Sequence, residues 1–308
     1  MTRQLLPILF VLSSTFSVSI NGLLSNYLTE QISLEWLGFL RFLMPAMLLM
    51  LVLLCSKLRL PPKALLVPLS IRALCIAGCQ LCFIISLSQL SLVESVVLFG
   101  TGPLFIPVLE KLIFSVKLKV STIAALAMTF IGVLLLSGSL SGFTFKPALL
   151  IGLCAGLFNA GSQLSLHRAT KSDMSPVEIN AWTLAFAAVV FVPVLLTGFV
   201  LNHSLTVMTG NTDGWLLFVG LLAVSVLIIN TQIFRAKAYK LVESSSQLAP
   251  YLFTNLLFAS IWQFLFFNVA FSGLQILGLA VIVAANVLNV ASPIVQKKWQ
   301  PRKAVGSI

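Results

Sequence analysis

Charged residues are scarce in this sequence, and acidic residues are the scarcest of them. Asp, Glu, Lys and Arg together make up 9% of the 308 residues, with only eight acids among them. A soluble domain carries about 25% charged residues. Hydrophobic residues reach 59% and the mean hydropathy is +1.07. So little polar surface excludes a water-soluble globular domain and indicates an integral membrane protein.

The residue types that carry acid–base and metal chemistry are few as well. The two histidines, His167 and His203, have no carboxylate at a motif spacing, and Walker and zinc-protease motifs are absent. The five cysteines lie in or at the ends of apolar runs, so no disulfide framework is indicated. Cys75, Cys79 and Cys82 share a helix face, but no acid or histidine lies at membrane depth to complete a soft-metal site. We therefore expect no metal, no cofactor and no enzymatic activity, with an intramembrane enzyme as a minor alternative.

Long apolar runs are what the sequence has in abundance. Runs of about 18 or more apolar residues are typical of membrane-spanning helices. The connections between them are too short for a separate soluble domain, and the first run is too long for a signal-peptide core. We predict an all-α integral membrane protein with ten transmembrane helices, at 4–25, 33–54, 70–90, 95–113, 120–138, 148–167, 177–199, 215–236, 245–268 and 272–294.

The basic residues are distributed on one side of this predicted bundle. The net charge is +11, and 17 of the 19 Lys and Arg residues precede the first run, follow the last, or occupy alternate connections. The opposite connections hold only Lys146. By the positive-inside rule both termini are expected in the cytoplasm. The charge therefore indicates topology and contact with lipid headgroups, not nucleic acid, and short loops favour a bacterial inner membrane.

A tetrapeptide occurs twice. Residues 92–95 and 241–244 both read "LVES", 149 positions apart. The first copy ends the stretch "SLSQLSLVES", which has no basic residue, and is predicted outside, whereas the second ends "RAKAYKLVES", with three basic residues, and is predicted inside. An odd number of helices per unit inverts the second copy. We therefore predict inverted five-helix repeats at 1–143 and 144–308, the alternative being two helical corners that converged.

The second copy also has a predicted local role. Ser244 is expected to cap the helix that follows it, as Ser95 would in the first copy. Ser244 and Gln247, three residues later, match a capping box.

The whole chain resembles the drug/metabolite transporter superfamily, specifically its ten-helix EamA-type members. The resemblance rests on five features: the stretches 86–114 and 238–259, the endings "FIGVLLLSG" (130–138) and "ILGLAVIVAANVL" (276–288), and Arg41 in "GFLRFLMPA". The resemblance implies transport of small metabolites, mostly export, through a central cavity between inverted halves.

A few polar and aromatic residues are predicted near the membrane midplane, where inverted-repeat carriers bind substrate. Neutral amides beside aromatic rings suit a zwitterion or an aromatic ring, although such amides also simply bond neighbouring helices. The predicted substrate-binding set comprises Ser14, Ser17, Gln80, Phe83, Asn159, Gln163, Trp182, Asn230, Tyr251 and Asn255.

Two further features have both a functional and a structural interpretation. Arg41 either attracts an anionic substrate group or has a structural role, for example by pairing with Glu94. The starts of two predicted helices contain Gly102, Pro103 and Pro250. These residues either act as hinges for alternating access or allow the helices to pack closely.

The sequence therefore predicts a secondary carrier that exports amino-acid-like or amphipathic metabolites, with import and a non-transporting scaffold as alternatives. Its partners are a small-molecule substrate and the lipid bilayer. All eight acids are predicted at helix ends or in loops, which favours facilitated diffusion over proton coupling. The substrate and the oligomeric state are not predicted.

Overall fold

The computed structural model describes residues 2–56, 59–89, 98–115, 120–136, 147–202, 214–267, 272–274, 276–285 and 288. These residues are almost entirely helical and form no β-strand, which confirms the all-α prediction. The helices are α1 (Thr2–Thr29), α2 (Leu34–Cys55), α3 (Lys63–Gln89), α4 (Gly102–Phe114), α5 (Val120–Leu136), α6 (Pro147–Ala169), α7 (Pro176–Asn202), α8 (Gly214–Lys240), α9 (Thr254–Phe267) and α10 (Ile276–Ala285).

Six of these helices are long and apolar enough to cross a membrane, namely α1, α2, α3, α6, α7 and α8. Large apolar side chains also face outward, as Leu51 and Val189 do with exposed fractions of 58% and 69%. A helix that is apolar on its outer face as well as its inner face is typical of a lipid environment. The chain is therefore a multi-pass integral membrane protein.

Two helices extend beyond the apolar runs that predict them. α3 begins at Lys63 and α8 ends at Lys240, so Arg72 and Arg235 lie inside helices. The count of basic residues assigned Arg72 and Arg235 to connections, although the predicted runs 70–90 and 215–236 include them, and that assignment is wrong. A helix continues through a charged residue when its backbone bonds stay within the helix and the side chain finds partners, whereas an apolar run ends there.

The contacts between helices follow a two-fold pattern. The most extensive pairs are α3 with α6, α1 with α8, and α2 with α7. Let each of α1 to α5 be exchanged with the helix five places later, so that α1 becomes α6 and α3 becomes α8. This exchange converts the pair α3 and α6 into the pair α8 and α1, and it leaves the pair α2 and α7 unchanged. The smaller contacts obey the same exchange, because α4 packs on α6 as α9 packs on α1, and α3 packs on α7 as α8 packs on α2.

The helices α5 and α10 meet at glycines. A Cβ atom added to Gly132 in α5 would lie 2.8 Å from the Gly278 carbonyl oxygen and 2.7 Å from Ile282 Cγ1 in α10. Gly132 and Gly278 hold the same place in "FIGV" (130–133) and "ILGL" (276–279). Small residues of this kind allow helix backbones to approach closely in a membrane.

Several connections gather at one end of the bundle, which we call the basic end. Lys171 Nζ, after α6, donates to the Val242 carbonyl oxygen after α8 at 2.5 Å. The Trp182 indole in α7 donates to the Arg59 carbonyl oxygen before α3 at 3.0 Å. The pKa of Lys171 is lowered, mainly because the side chain is partly buried. The basic connections are thus close to one another in space.

Candidate functional site

Two predicted site residues of α1 bond to α8. Asn230 Nδ2 donates to Ser17 Oγ at 2.6 Å, and Arg235 Nε donates to Ser14 Oγ at 3.2 Å. Ser14 and Ser17 are both buried. These bonds join residues more than 200 positions apart, so predicted polar groups that are distant in the sequence do meet.

Two further predicted residues form a pair on α6. Gln163 Nε2 donates to Asn159 Oδ1 at 3.3 Å, and Gln163 Oε1 is buried without a hydrogen-bond partner among the described residues. Asn159 also lies against the start of α4, because a Cβ atom added to Gly102 would be 2.8 Å from its Nδ2 and 3.2 Å from the Gly156 carbonyl oxygen. Gly102 therefore permits a close crossing of α4 over α6, next to the amide pair.

The approach to α9 is not a continuous α-helix. Two 3-10 turns, Ser245–Gln247 and Ala249–Phe253, precede Thr254, so Tyr251 and Asn255 do not share one regular helix face as predicted. Pro250 stands in the second turn, where its missing N–H suits a new helical start. Tyr251 is buried, and the neighbouring Thr254 hydroxyl lies 2.8 Å from that of Thr15 in α1.

The remaining predicted residues are spread over the bundle. Trp182 lies near the basic end, where its indole bonds to Arg59, rather than at the predicted midplane. Phe83 in α3 contacts Phe99 with ring centroids 5.3 Å apart. Gln80 and Arg41 are partly buried in α3 and α2. Pro103 is buried in the first turn of α4. Glu94, the partner proposed for Arg41, and the whole first "LVES" lie outside the described residues.

The turn at residues 241–246, which contains the second "LVES" and which we call the second corner, surrounds a carboxylate that is predicted at a helix end. Glu110 of α4 is 1% exposed. Its Oε1 accepts the Ser245 N–H at 2.9 Å, and its Oε2 accepts the Ser246 N–H at 3.0 Å. The hydroxyls of Ser244 and Ser246 also donate to Oε2.

This arrangement replaces the predicted capping box. Ser244 makes no side-chain cap, because its hydroxyl donates to Glu110. A buried carboxylate is the stronger acceptor and needs these donors to offset its lost hydration. A capping box does occur at "SPVE", where Ser175 N–H donates to Glu178 Oε2 at 2.7 Å and Glu178 N–H to Ser175 Oγ at 3.2 Å.

An arginine that the sequence analysis assigned to a connection lies at the centre of a polar cluster. Arg72 of α3 is 1% exposed. Its Nη1 donates to Thr183 Oγ1 of α7 at 3.2 Å, and its Nη2 donates to Gln232 Oε1 of α8 at 2.9 Å. One sequence signal could have indicated this burial: Arg72 is followed directly by apolar residues, with no turn residue between them. Such a residue can equally well lie inside the helix.

A surface cleft of 590 Å³ opens at the basic end. Its lining includes Arg59, Asp173, Glu178 and Lys240. This cleft lies beside the connections and is separate from the predicted midplane set. Among the described residues, no three His, Cys, Asp or Glu side chains come close enough together to hold a metal ion.

Known proteins are similar to this chain in fold and in sequence. A solved crystal structure matches at a TM-score of 0.74, covering 92% of this chain and 98% of its own, with 15% identity. The pseudopaline exporter CntI of Pseudomonas aeruginosa, in strains UCBPP-PA14 and PAO1, is 23% identical over 206 residues, which are 67% of this chain and 68% of the exporter. The sequence profile of the EamA-like transporter family matches residues 5–138 and again residues 146–291. The predicted resemblance is confirmed: the chain belongs to the EamA-like transporter family.

Proposed function

We propose that the chain is a secondary carrier that exports small organic metabolites, of amino-acid-like or amphipathic character, by alternating access between two inverted five-helix halves. The halves are residues 1–143 and 144–308, in a bacterial inner membrane with both termini in the cytoplasm. The observation that carries this proposal is a set of neutral polar bonds between the halves. Asn230 with Ser17 and Thr15 with Thr254 both join α1 to the second half.

The two-fold arrangement supports the proposed halves. The family profile matches twice, and the break between 138 and 146 brackets the proposed boundary at 143. The contacts of α1 with α8 and of α3 with α6 are equivalent under exchange of the halves. Carriers built this way bind substrate near the midplane, where the repeats meet.

The interior between the halves suits an uncharged or zwitterionic solute. Asn159, Gln163 and Asn230 supply amide groups, and the Gln163 Oε1 atom has no hydrogen-bond partner among the described residues. Buried unpaired polar atoms are rare because each costs free energy. A bound solute would satisfy such an atom during transport.

Export is the favoured direction, since the named relatives are exporters. Import is the alternative. The test is flux of a labelled solute panel in liposomes that hold the purified chain, together with release of the same solutes from cells with and without the gene. Faster flux and lower external concentrations in the deletion strain are expected. An unchanged panel in both assays would refute transport, and higher external concentrations would indicate import.

Coupling is proposed to be absent. The buried Glu110 is fully engaged with the second corner, and no other described acid lies deep within a helix. Flux in the same liposomes should therefore be equal with and without an imposed pH gradient. A strong dependence on the gradient would overturn facilitated diffusion.

A further inference from the structure

Two arginines lie inside the bundle, and the neutral polar set described above gives them no role. Arg72 is nine residues beyond the start of α3, which places it about 13 Å along that helix, and Arg235 is about 7 Å from the end of α8. Both helix ends belong to the basic end. Both arginines lie within the apolar spans Lys63–Ser86 and Gly214–Lys240, which are long enough to cross a membrane. Charged groups there are costly and are functional by default.

The partners of these arginines are neutral oxygen atoms. Arg72 donates to the hydroxyl of Thr183 and the amide of Gln232, and Arg235 donates to the hydroxyl of Ser14. Arg72 and Arg235 are also close enough to repel each other electrostatically. No carboxylate is among their hydrogen-bond partners in the described part of the chain. The buried charge of Arg72 and the half-buried charge of Arg235 therefore lie near each other with no described counter-charge bonded to them.

Two donors at this place remain unused. The Arg72 Nε and the Tyr239 hydroxyl are fully buried and have no hydrogen-bond partner in the part of the chain that the structure describes. Tyr239 is one helical turn beyond Arg235 on α8, and its hydroxyl interacts electrostatically with both arginines. A buried Arg Nε–H and a buried phenol O–H each cost free energy when they stay unpaired. Their common requirement is an acceptor.

The other charged groups nearby do not supply it. Glu110 lies within electrostatic reach of Tyr239 and His167, but the second corner occupies both of its oxygens. His167 Nε2 is engaged with the Val242 carbonyl oxygen at 3.2 Å. An acceptor from outside the described chain is what the two donors lack.

We propose that Arg72, Arg235 and Tyr239 form the binding site for the carboxylate group of a small zwitterionic or anionic solute, on the basic side of the midplane. The proposal rests on the proposed transport function and specifies its substrate class. A carboxylate presents two oxygens, which match the two unused donors, and it offsets the paired positive charge. A phosphate carries more oxygens than there are unused donors. Ser14, bonded to Arg235, connects this site to the midplane set.

Tyr239→Phe is the decisive variant. Substituting Arg72 would break two bonds between helices and confuse folding with binding, whereas the Tyr239 hydroxyl makes no bond whose loss would weaken the fold. A purely structural Tyr239 therefore predicts no change. A carboxylate ligand predicts that KM for carboxylates rises about tenfold or more. Tyr27→Phe, at an exposed tyrosine of α1, is the matched control.

The probes are acid and amide pairs, succinate with succinamide and L-leucine with L-leucinamide, in counterflow into liposomes that hold the full chain. The acids should move faster than their amides, and Tyr239→Phe alone should raise KM. Equal movement of acids and amides, with Tyr239→Phe unchanged, would refute the carboxylate site and leave the transport function intact. If no member of any pair moves while other solutes do, the carboxylate site is refuted. If no solute moves at all, the proposed function falls, and this inference with it.

A separate arm distinguishes carboxylate from phosphate. Inorganic phosphate and vesicles rich in phosphatidylglycerol present the phosphate group without a carboxylate. Neither should compete with succinate at equal concentration. Stronger competition by either than by unlabelled succinate would overturn the assignment to a carboxylate.

Discussion

At the scale of single residues, burial decides the role of each polar group more than its identity does. Glu110 and Glu243 are both glutamates near the basic end, yet Glu110 is 1% exposed and Glu243 is exposed. From the sequence, both are predicted to lie at helix ends or in loops. Glu110 differs because the second corner folds back onto it, and that contact joins residues more than 130 positions apart.

Glu110→Gln should destabilise the protein. Each carboxylate oxygen of Glu110 accepts a backbone N–H, from Ser245 and Ser246, so the amide nitrogen of glutamine must face one of these donors. Hydrogen bonds to a charged group are each worth about 1.5–3 kcal/mol, and we expect a loss of at least that size. Thermal unfolding of the purified chain in detergent measures it.

Glu243→Gln is the matched control, because Glu243 lies in the same corner with an exposed side chain. Its midpoint temperature should equal that of the unchanged chain. If both variants unfold at the same temperature, Glu110 does not hold the corner to α4.

At the scale of helices, hydropathy located the elements well and their ends poorly. The predicted start of α3 at 70 is late, because the helix begins at the charged Lys63, before the apolar run. The predicted start at 245 is in a 3-10 turn, since Pro250 cannot donate to a regular α-helical ladder. Polar partners and proline geometry set these ends, and a hydropathy average records neither.

Gly132→Ala should weaken the contact between α5 and α10. The added methyl group would lie 2.8 Å from a backbone oxygen, which cannot rotate away as a side chain can. Overpacking of this kind costs about 1–3 kcal/mol. We expect a lower midpoint of thermal unfolding in detergent.

Gly22→Ala, in α1, is the control with the opposite sign. An added Cβ atom there has nothing within 4 Å. Replacing an open helical glycine with alanine stabilises a helix by about 0.5–1 kcal/mol. A Gly132→Ala variant as stable as Gly22→Ala would show that the glycine contact is not close in the membrane.

At the scale of the whole molecule, the proposed inversion makes a prediction about sidedness. In a chain whose five cysteines are replaced by serine, Glu94→Cys and Glu243→Cys place one thiol in each "LVES" corner. A membrane-impermeant thiol reagent applied to intact cells should label only the Glu94→Cys variant. An odd number of helices in each repeat requires that result.

Permeabilised cells provide the control, since both variants should then be labelled. Labelling of both variants in intact cells, or of Glu243→Cys alone, would rule out the inverted arrangement with cytoplasmic termini. The native corner residues of the outer copy lie outside the described residues, so the experiment also locates that copy.

The sequence alone determined that this protein resides in a membrane, that it is helical, and that it resembles the EamA-type transporters. Those properties follow from composition, apolar run length and local motifs, which are sums over neighbouring residues. Only the tertiary structure decided that Arg72 is buried close to Arg235 and that Glu110 is enclosed by the second corner. The reason is physical: burial and pairing depend on which distant helices pack against one another, and no local average of hydropathy contains that information.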